Sequence, residues 1–231
     1  MKKLMKVLLA TFFAFAINSS ANAGLEGVAI GVTVSGNDLD TVVTDDIDSN
    51  GTINTTKNIT DSVMGISLFG ERTTSLGSGK LMLTLGLEYT PVDADLEKRS
   101  TTQATIKGSG TTSSSGTNTG TASIEDHYVF YIQPGIMISD RAMIYGTYGY
   151  ATADVTATWE SVSSTNTTES KSMDGERVGF GIKIAKDNGL VMKFDYAETD
   201  YDPVSYTTTN NTTVKGDIDN QVFSISLGKS F

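Results

Sequence analysis

The sequence predicts an all-β protein, an eight-stranded antiparallel up-and-down transmembrane β-barrel. Three observations predict it: an N-terminal secretory signal, eight short segments in which apolar residues alternate with small or polar ones, and connections that are alternately long and short. Helical periodicity is absent after the signal, and no later apolar stretch approaches the ~20 residues of a transmembrane helix. Strands are therefore the elements with which this chain would cross a membrane.

Residues 1–23 have the pattern of a signal peptide. Three lysines within the first six residues precede an apolar run at residues 7–17, and Ala21-Asn22-Ala23 supplies the small residues that signal peptidase reads. The apolar run is too short to span a membrane comfortably. We expect cleavage after Ala23, which leaves residues 24–231 as a single barrel domain.

The composition excludes several classes of function. The 231 residues carry a formal net charge of −10 and no cysteine. A nucleic-acid partner needs a basic surface, and thiolate-held zinc or iron–sulfur centres need cysteine, so neither is expected. The sequence predicts no cofactor.

Eight segments alternate with the period of two that is typical of strands. In the first, Val28, Ile30, Val32 and Val34 share one face, and small residues occupy the other. The other seven apolar faces lie within residues 64–68, 81–89, 128–138, 144–150, 178–184, 190–196 and 223–231. Periodicity alone is compatible with a soluble lipocalin-like barrel, apolar inside, or a membrane barrel, apolar outside. The narrow lumen of eight strands cannot hold so many large side chains, so we expect the apolar faces to point into lipid.

The connections support the membrane interpretation. Links after odd strands are long, and they lie at about residues 36–60, 91–126, 154–176 and 198–219. Links after even strands are short, as in outer-membrane barrels with external loops, periplasmic turns and periplasmic termini. The long links contain 20 acidic and six basic residues, which predicts an acidic external crown. The Gly/Ser/Thr run from Gly108 to Ser123 is expected to be a mobile loop.

Five tyrosines fall at the long-link end of their strands: Tyr89, Tyr128, Tyr148, Tyr150 and Tyr196. A tyrosine there keeps its ring at the hydrocarbon edge and its hydroxyl among lipid headgroups, so these residues predict half of an aromatic girdle.

One proline interrupts the alternation. Pro134 cannot donate a ladder hydrogen bond, and it predicts a bulge or break in the fourth strand.

At the level of residues, the chain resembles small outer-membrane β-barrels of the OmpA/OmpX type. The similar stretches are the hairpin at residues 179–196 and the turn region at 137–145. The terminal Phe231 matches the aromatic residue that the outer-membrane assembly machinery reads, although Lys229 departs from that signal. The resemblance implies an outer-membrane protein of a Gram-negative bacterium, surrounded by lipid and lipopolysaccharide and delivered by periplasmic chaperones to the assembly machinery.

Charged residues also occupy the face that should line the lumen. Six of them have this parity: Glu71, Glu88, Arg177, Lys183, Lys193 and Asp195. Because an unpaired buried ion costs several kcal/mol, three acids and three bases predict an ion-pair network that plugs the barrel. The resemblance implies the same network. Polar packing that fixes strand register and a gated, low-conductance pore are the two interpretations.

Residues 46–53 repeat the first half of a calcium-binding loop, with candidate oxygen ligands on Asp46, Asp48 and Asn50. Lys57 stands at position twelve, where such a loop needs a bidentate glutamate. The sequence therefore predicts weak calcium binding at most.

Catalysis has little support. The single histidine, His127, lies beside Asp126 at the long-link end of a strand with lumen-facing parity, and a serine or threonine could approach it. No Gly-x-Ser-x-Gly elbow or second histidine accompanies it. The sequence therefore predicts a non-enzymatic role in envelope structure, or in surface interaction with an unknown external ligand. The alternatives are a narrow, porin-like pore for small solutes and an enzyme that modifies lipid A or phospholipid.

Overall fold

The computed structural model describes residues 24–46, 50–77, 80–96, 99–107, 113–161, 164–207 and 213–231. Its elements are ten β-strands: β1 (Gly27–Asp46), β2 (Thr55–Leu76), β3 (Leu81–Thr90), β4 (Ala94–Asp95), β5 (Arg99–Lys107), β6 (Ser113–Ser139), β7 (Ala142–Ser161), β8 (Ser164–Ala185), β9 (Leu190–Thr207) and β10 (Thr213–Ser230). The expected signal peptide lies outside the described residues. Within them, no helix is long and apolar enough to cross a membrane.

The strands form one closed antiparallel ring. Hydrogen-bonded neighbours follow the order β3-β2-β1-β10-β9-β8-β7-β6, and β6 pairs with β3 to close the ring. The short strands β4 and β5 follow β3 along the chain and also pair with β6. Eight strands therefore surround the lumen, and the predicted eight-stranded antiparallel up-and-down barrel is confirmed.

A line of directly paired residues can be followed from strand to strand around the ring. It joins one apolar side chain from each strand, namely Ile66, Val34, Ile225, Phe194, Ile182, Ile144, Ile136 and Leu81. Leu81 in turn pairs with Leu76 of β2, ten residues along that strand from Ile66. A shear of ten over eight strands tilts the strands by roughly 40° from the barrel axis.

The lower half of the barrel is the end that holds both chain ends and the β2–β3, β6–β7 and β8–β9 turns. Here the predicted apolar faces do point outward. Val34 is exposed in β1, for example, while its neighbour Thr33 is buried and hydrogen-bonds across the ladder to Ser226 at 2.8 Å. An apolar outer belt of this kind is the wall of a membrane barrel.

Towards the other end, here called the upper half, the wall reverses its polarity. In β7, Tyr148 and Tyr150 are exposed on the outside, whereas further along Ala153 and Val155 are buried inside. The interior of the upper half contains a large apolar cluster: Leu39, Val129, Tyr131, Ala151, Ala153, Val155, Ala157, Met173, Tyr201, Val204, Tyr206 and Ile218. The upper half is therefore built like a soluble barrel, apolar inside and polar outside.

The expectation of four long loops is wrong, because the strands continue through most of those links. β1 extends to Asp46 and β2 begins at Thr55, and β6 begins at Ser113 within the run that was expected to be mobile. Residues 108–112 of that run lie outside the described residues. The links are rich in threonine, a β-branched residue that favours strands. Their apolar residues face inward, which reverses the pattern used to find the lower strands.

The ladder irregularities do not lie at Pro134. Pro134 pairs in register with Leu83 of β3, and the β6–β7 register is the same before and after it. The register shifts of β6 against β7 lie instead between Glu125 and Tyr128 and between Met137 and Ser139. Gln133 and Pro134 are left out of the β6–β7 pairing, so the missing N–H of proline removes a rung without shifting the register.

Two rows of acids lie on the outer wall directly above the apolar belt. Asp40, Asp219, Asp200 and Glu176 are direct cross-strand neighbours on β1, β10, β9 and β8. In the row below, Asp38, Gln221 and Glu198 are neighbours in the same way. Hydroxyls of β2 donate to this wall, from Thr60 to Asp40 at 2.7 Å and from Ser62 to Asp38 at 2.6 Å. We call these two lines the acidic rows.

Replacement of Asp219 by asparagine should stabilise the barrel. Like charges directly opposite each other in a sheet are unfavourable, so D219N should raise the free energy of unfolding by ~0.5 kcal/mol at pH 7. The pKa of Asp219 is raised above its ordinary 3.8 by partial burial and by neighbouring carboxylates, Asp200 first. A raised pKa means that the wild type gains stability as pH falls through it, so the advantage of D219N should shrink towards pH 4. Urea titrations at both pH values measure this, and an advantage that does not change with pH would contradict it.

Candidate functional site

The lower lumen is closed by an ion cluster with a single acid at its centre. The Glu71 carboxylate of β2 lies 2.7 Å from the Lys183 ammonium of β8 and 3.0 Å from that of Lys193 of β9. All three side chains are almost entirely buried. We call these three residues the ion triad. Since β2 and β8 lie on opposite sides of the ring, the ion triad spans the lumen.

Neutral groups complete the hydrogen bonding of the ion triad. The Tyr131 hydroxyl donates to Glu71 Oε2 at 2.8 Å, and Lys183 Nζ donates to Thr73 Oγ1 at 2.7 Å. Thr73 in turn shares a 2.8 Å hydrogen bond with Thr84 of β3. Buried ions are tolerated when their remaining donors and acceptors are satisfied in this way.

Aromatic rings surround the Lys193 ammonium. Its Nζ lies 5.0 Å from the ring centroid of Tyr131, 5.2 Å from that of Phe69 and 5.9 Å from that of Tyr145. These are cation–π distances, and the attraction is greatest where water is excluded. The cation is thus held by one carboxylate and three ring faces.

Tyr131 reaches Glu71 because β3 has glycine where the ring crosses it. A Cβ added to Gly86 would lie 2.2 Å from the Tyr131 ring. Any side chain at Gly86 would therefore displace the ring and its hydrogen bond to Glu71.

The other three predicted lumen charges lie in the lumen but form no ion pair in the described residues. Asp195 accepts a hydrogen bond from the Tyr145 hydroxyl at 2.6 Å, and Glu88 accepts one from Ser67 at 2.5 Å. Arg177 donates from Nε to Thr199 Oγ1 at 2.9 Å. The expected six-residue network is thus an ion triad with three separately hydrogen-bonded charges.

The walls of the Lys193 site are formed by Phe69, Tyr131 and Tyr145, which were not among the residues predicted from the sequence. The signal that could have found them is parity. Tyr131 is out of phase with Phe130 and Ile132, and Tyr145 is out of phase with Ile144, so each large ring falls on the face otherwise occupied by small residues.

Below the ion triad, an apolar cluster fills the lumen at the turn end: Leu25, Ala29, Phe69, Met82, Met143, Tyr145, Ala185 and Val191. The lumen therefore has an apolar plug at each end and the ion triad beside the lower one. Together, the ion triad and the apolar cluster below it block a continuous water path through the lower barrel.

The predicted girdle tyrosines lie at the top of the apolar belt. Tyr148 and Tyr150 are exposed, and the Tyr196 hydroxyl donates to Glu198 of the acidic rows at 2.7 Å. Tyr128 differs from the expectation, because only 2% of it is exposed. The Tyr89 ring stacks on it at a centroid distance of 4.5 Å, so Tyr89 takes the outer position of this pair.

In the calcium candidate, the described side-chain oxygens accept hydrogen bonds from nearby backbone groups. The Asp46 carboxylate accepts the backbone N–H groups of Asn50 at 3.1 Å and of Gly51 at 2.6 Å, and Asn50 Oδ1 accepts that of Thr52. Asp48 lies outside the described residues. Within the described residues, no group of three or more potential ligands could hold a metal ion.

His127 lies inside the upper barrel, as its parity predicts. One ring nitrogen lies 2.9 Å from the Tyr201 hydroxyl and the other 3.4 Å from Thr90 Oγ1. Both nitrogens face hydroxyl groups, so this part of the chain offers no carboxylate–histidine–nucleophile relay.

The terminal Phe231 completes the ring. Its backbone N–H donates to Val28 O at 2.8 Å, and its carbonyl accepts from Val28 N at 3.3 Å. The last residue therefore seals the seam between β1 and β10.

A closed barrel with an apolar belt outside and a buried ion triad inside defines the class: a transmembrane β-barrel with a plugged lumen. No protein-family model and no curated protein sequence matches the chain.

Solved structures give distant likenesses. One is Ail, the attachment invasion locus protein of Yersinia pestis, at 12% identity and a TM-score of 0.38, over 87% of this chain and 99% of that one. The outer membrane protease OmpT of Escherichia coli is similar at 8% identity and 0.46, over 92% and 99%. Neisserial surface protein A is similar at 10% identity and 0.33, over 88% and 99%. At these identities and TM-scores, the likenesses carry no inference about function.

Removal of the central acid should destabilise the barrel strongly. Glu71→Gln removes the carboxylate that pairs with both buried ammonium groups, which should cost about 3–5 kcal/mol. Urea unfolding followed by gel mobility of unheated samples measures it. The exposed Glu26→Gln, outside the lumen and the acidic rows, is the matched control and should change stability by less than ~0.5 kcal/mol. Equal effects of the two variants would contradict the role of the ion triad.

Replacement of the whole ion triad should be far milder than the loss of Glu71 alone. In E71M/K183M/K193M the unpaired charges vanish together, so stability should recover to within ~1–2 kcal/mol of the wild type. The same urea titration tests this, and a triple variant less stable than E71Q would show that the charges themselves hold the lumen together.

Proposed function

We propose that this chain is an integral outer-membrane protein of a Gram-negative bacterium, with a structural or surface-interaction role and no enzymatic activity. The observation that carries the proposal is the two-part wall. Its lower half presents an apolar belt to lipid, and its upper half is a soluble-type barrel that stands in water. A protein with such a wall fits a membrane surface with its upper half displayed outside.

The orientation follows from the same wall. Both chain ends and the short turns lie at the lower end, and we place them in the periplasm. The acidic rows would then lie at the level of lipopolysaccharide headgroups. Partners at this level are lipid and lipopolysaccharide, and an external ligand would meet the upper half.

We propose that periplasmic chaperones deliver the chain to the outer-membrane assembly machinery. Phe231 supports this, because a terminal aromatic residue at the seam strand is the signal that the machinery reads in barrels that this sequence resembles.

The closed lumen favours the structural role over a porin-like pore. The ion triad and the apolar cluster beneath it fill the lower lumen, whereas a diffusion pore needs an open, water-lined path. A lipid-modifying enzyme is not favoured either, since both nitrogens of His127 face hydroxyl groups of Tyr201 and Thr90.

Membrane insertion is tested by fractionation and gel mobility. The protein should be recovered with outer membranes, and it should migrate differently before and after heating because the closed barrel resists detergent. A soluble periplasmic protein without heat-dependent mobility would reject the proposal.

Conductance separates a plugged barrel from a pore. In planar bilayers, refolded protein should give no steady, porin-like current, because the lower lumen is filled. A known general porin at the same protein concentration is the positive control, and steady channels from this chain at comparable frequency would favour the pore.

A further inference from the structure

The barrel wall is split from the top of the apolar belt upwards. Pairing of β2 with β3 stops at Leu68 and Tyr89, whereas pairing of β2 with β1 continues as far as Thr55. Residues 55–67 of β2 thus have no strand partner on the side away from β1 within the described chain. Across this gap, β3 ends at Thr90 and β4 pairs with β6 alone. We call the gap the lateral slot.

Behind the lateral slot lies a chamber inside the barrel. Polar side chains among its lining residues are Ser35, Asn37, Glu88, His127, Arg177 and Asn220. Apolar ones are Leu39, Val63, Met64, Val92, Ile124 and Val222. The chamber encloses about 60 Å³. That volume corresponds to roughly four waters, or to one carboxylate with its first carbons.

Arg177 is one of the residues that line this chamber. Only 7% of it is exposed, and its Nε donates to Thr199. Within the described residues, no carboxylate oxygen lies within 4 Å of the guanidinium. A buried, unpaired cation is costly, and the planar fork of arginine matches a carboxylate in a bidentate geometry. The unmatched charge therefore points to an anionic ligand.

Neighbouring groups limit what that anion can be. Glu88 lines the same chamber, so it opposes additional negative charge and favours a singly charged ligand. At the mouth, Met64 is 75% exposed and Val92 is 60% exposed, and both are apolar. A carboxylate head on Arg177 would thus continue into an apolar tail that passes these two side chains.

We propose that the chamber binds the carboxylate of a medium-chain fatty acid that enters sideways through the lateral slot. The sideways route rests on the proposed membrane insertion, since the lateral slot opens at the top of the apolar belt. The ligand supplies the counter-charge for Arg177, and its tail covers the apolar mouth. The plugged lower lumen keeps the ligand from leaving towards the periplasm.

Calorimetry with the full barrel in phosphatidylcholine nanodiscs tests this, with octanoate as the probe and empty nanodiscs as the blank. Octanoate should bind saturably at one site, and uncharged octan-1-ol should bind at least tenfold more weakly. Arg177→Gln should weaken octanoate binding at least tenfold. Arg177→Lys, which keeps the charge and loses the fork, should weaken it about threefold.

Removal of the negative charge in the chamber should have the opposite effect on octanoate binding. Glu88→Gln removes the competing carboxylate and should strengthen octanoate binding about threefold. Lys215→Gln removes an exposed cation of the upper wall and should leave binding unchanged. If R177Q fails to fold, R177K and E88Q decide the matter.

Three results would overturn the proposal: heat no greater than that of empty nanodiscs, binding that is unchanged in the arginine variants, or weaker binding in E88Q. Heat-dependent gel mobility of each nanodisc sample separates these outcomes from failed insertion, which would instead count against the proposed function.

Discussion

Closure of the sheet into eight strands is the constraint on which the rest of the molecule depends. A membrane-spanning sheet cannot leave backbone groups unpaired in lipid, so β1 must meet β10 and β3 must meet β6. Eight strands with a shear of ten leave a lumen only wide enough for side chains. Whatever lies inside must therefore pack, and the ion triad, the rings around Lys193 and the glycine beneath Tyr131 are one solution to that packing problem.

The reversal of polarity along each strand follows from a change of solvent. Where lipid surrounds the wall, large apolar side chains face outward, and the interior holds the ion triad and the apolar cluster below it. Where water surrounds it, the same alternation places Leu39, Val155 and Tyr206 inside and the acidic rows outside. Apart from the register shifts in β6 and between β9 and β10, the alternation is kept, and the identity of the two faces is exchanged. One continuous ladder can thus serve two environments.

The sequence predicted the architecture well because the lower strands carry a strong signal on one face. The upper parts of the strands were not predicted, because inward residues such as Ala151, Ala153 and Ala157 are too small to mark a buried face in the sequence. Parity placed all six lumen charges inside, but it could not pair them. Pairing depends on height and on distance across the lumen, so Glu71 meets Lys183 from the opposite wall while Arg177 lies six residues higher on the same strand as Lys183. Tyr128 was misplaced because strand parity does not show which of two neighbouring rings covers the other.

The acidic rows also create a free-energy barrier to membrane insertion of the barrel and to its reversal. If the barrel inserts from the periplasmic side, the upper ends of β1, β8, β9 and β10 must cross the hydrocarbon layer with Asp40, Glu176, Asp200 and Asp219 on the outward face. Ionised side chains on the lipid face are unfavourable near the bilayer midplane. Unassisted insertion would therefore meet a barrier at the moment these strand ends pass the midplane, and the finished barrel would meet the same barrier on the way back. The acidic side chains that destabilise the sheet locally thus slow any movement of the inserted barrel back through the membrane.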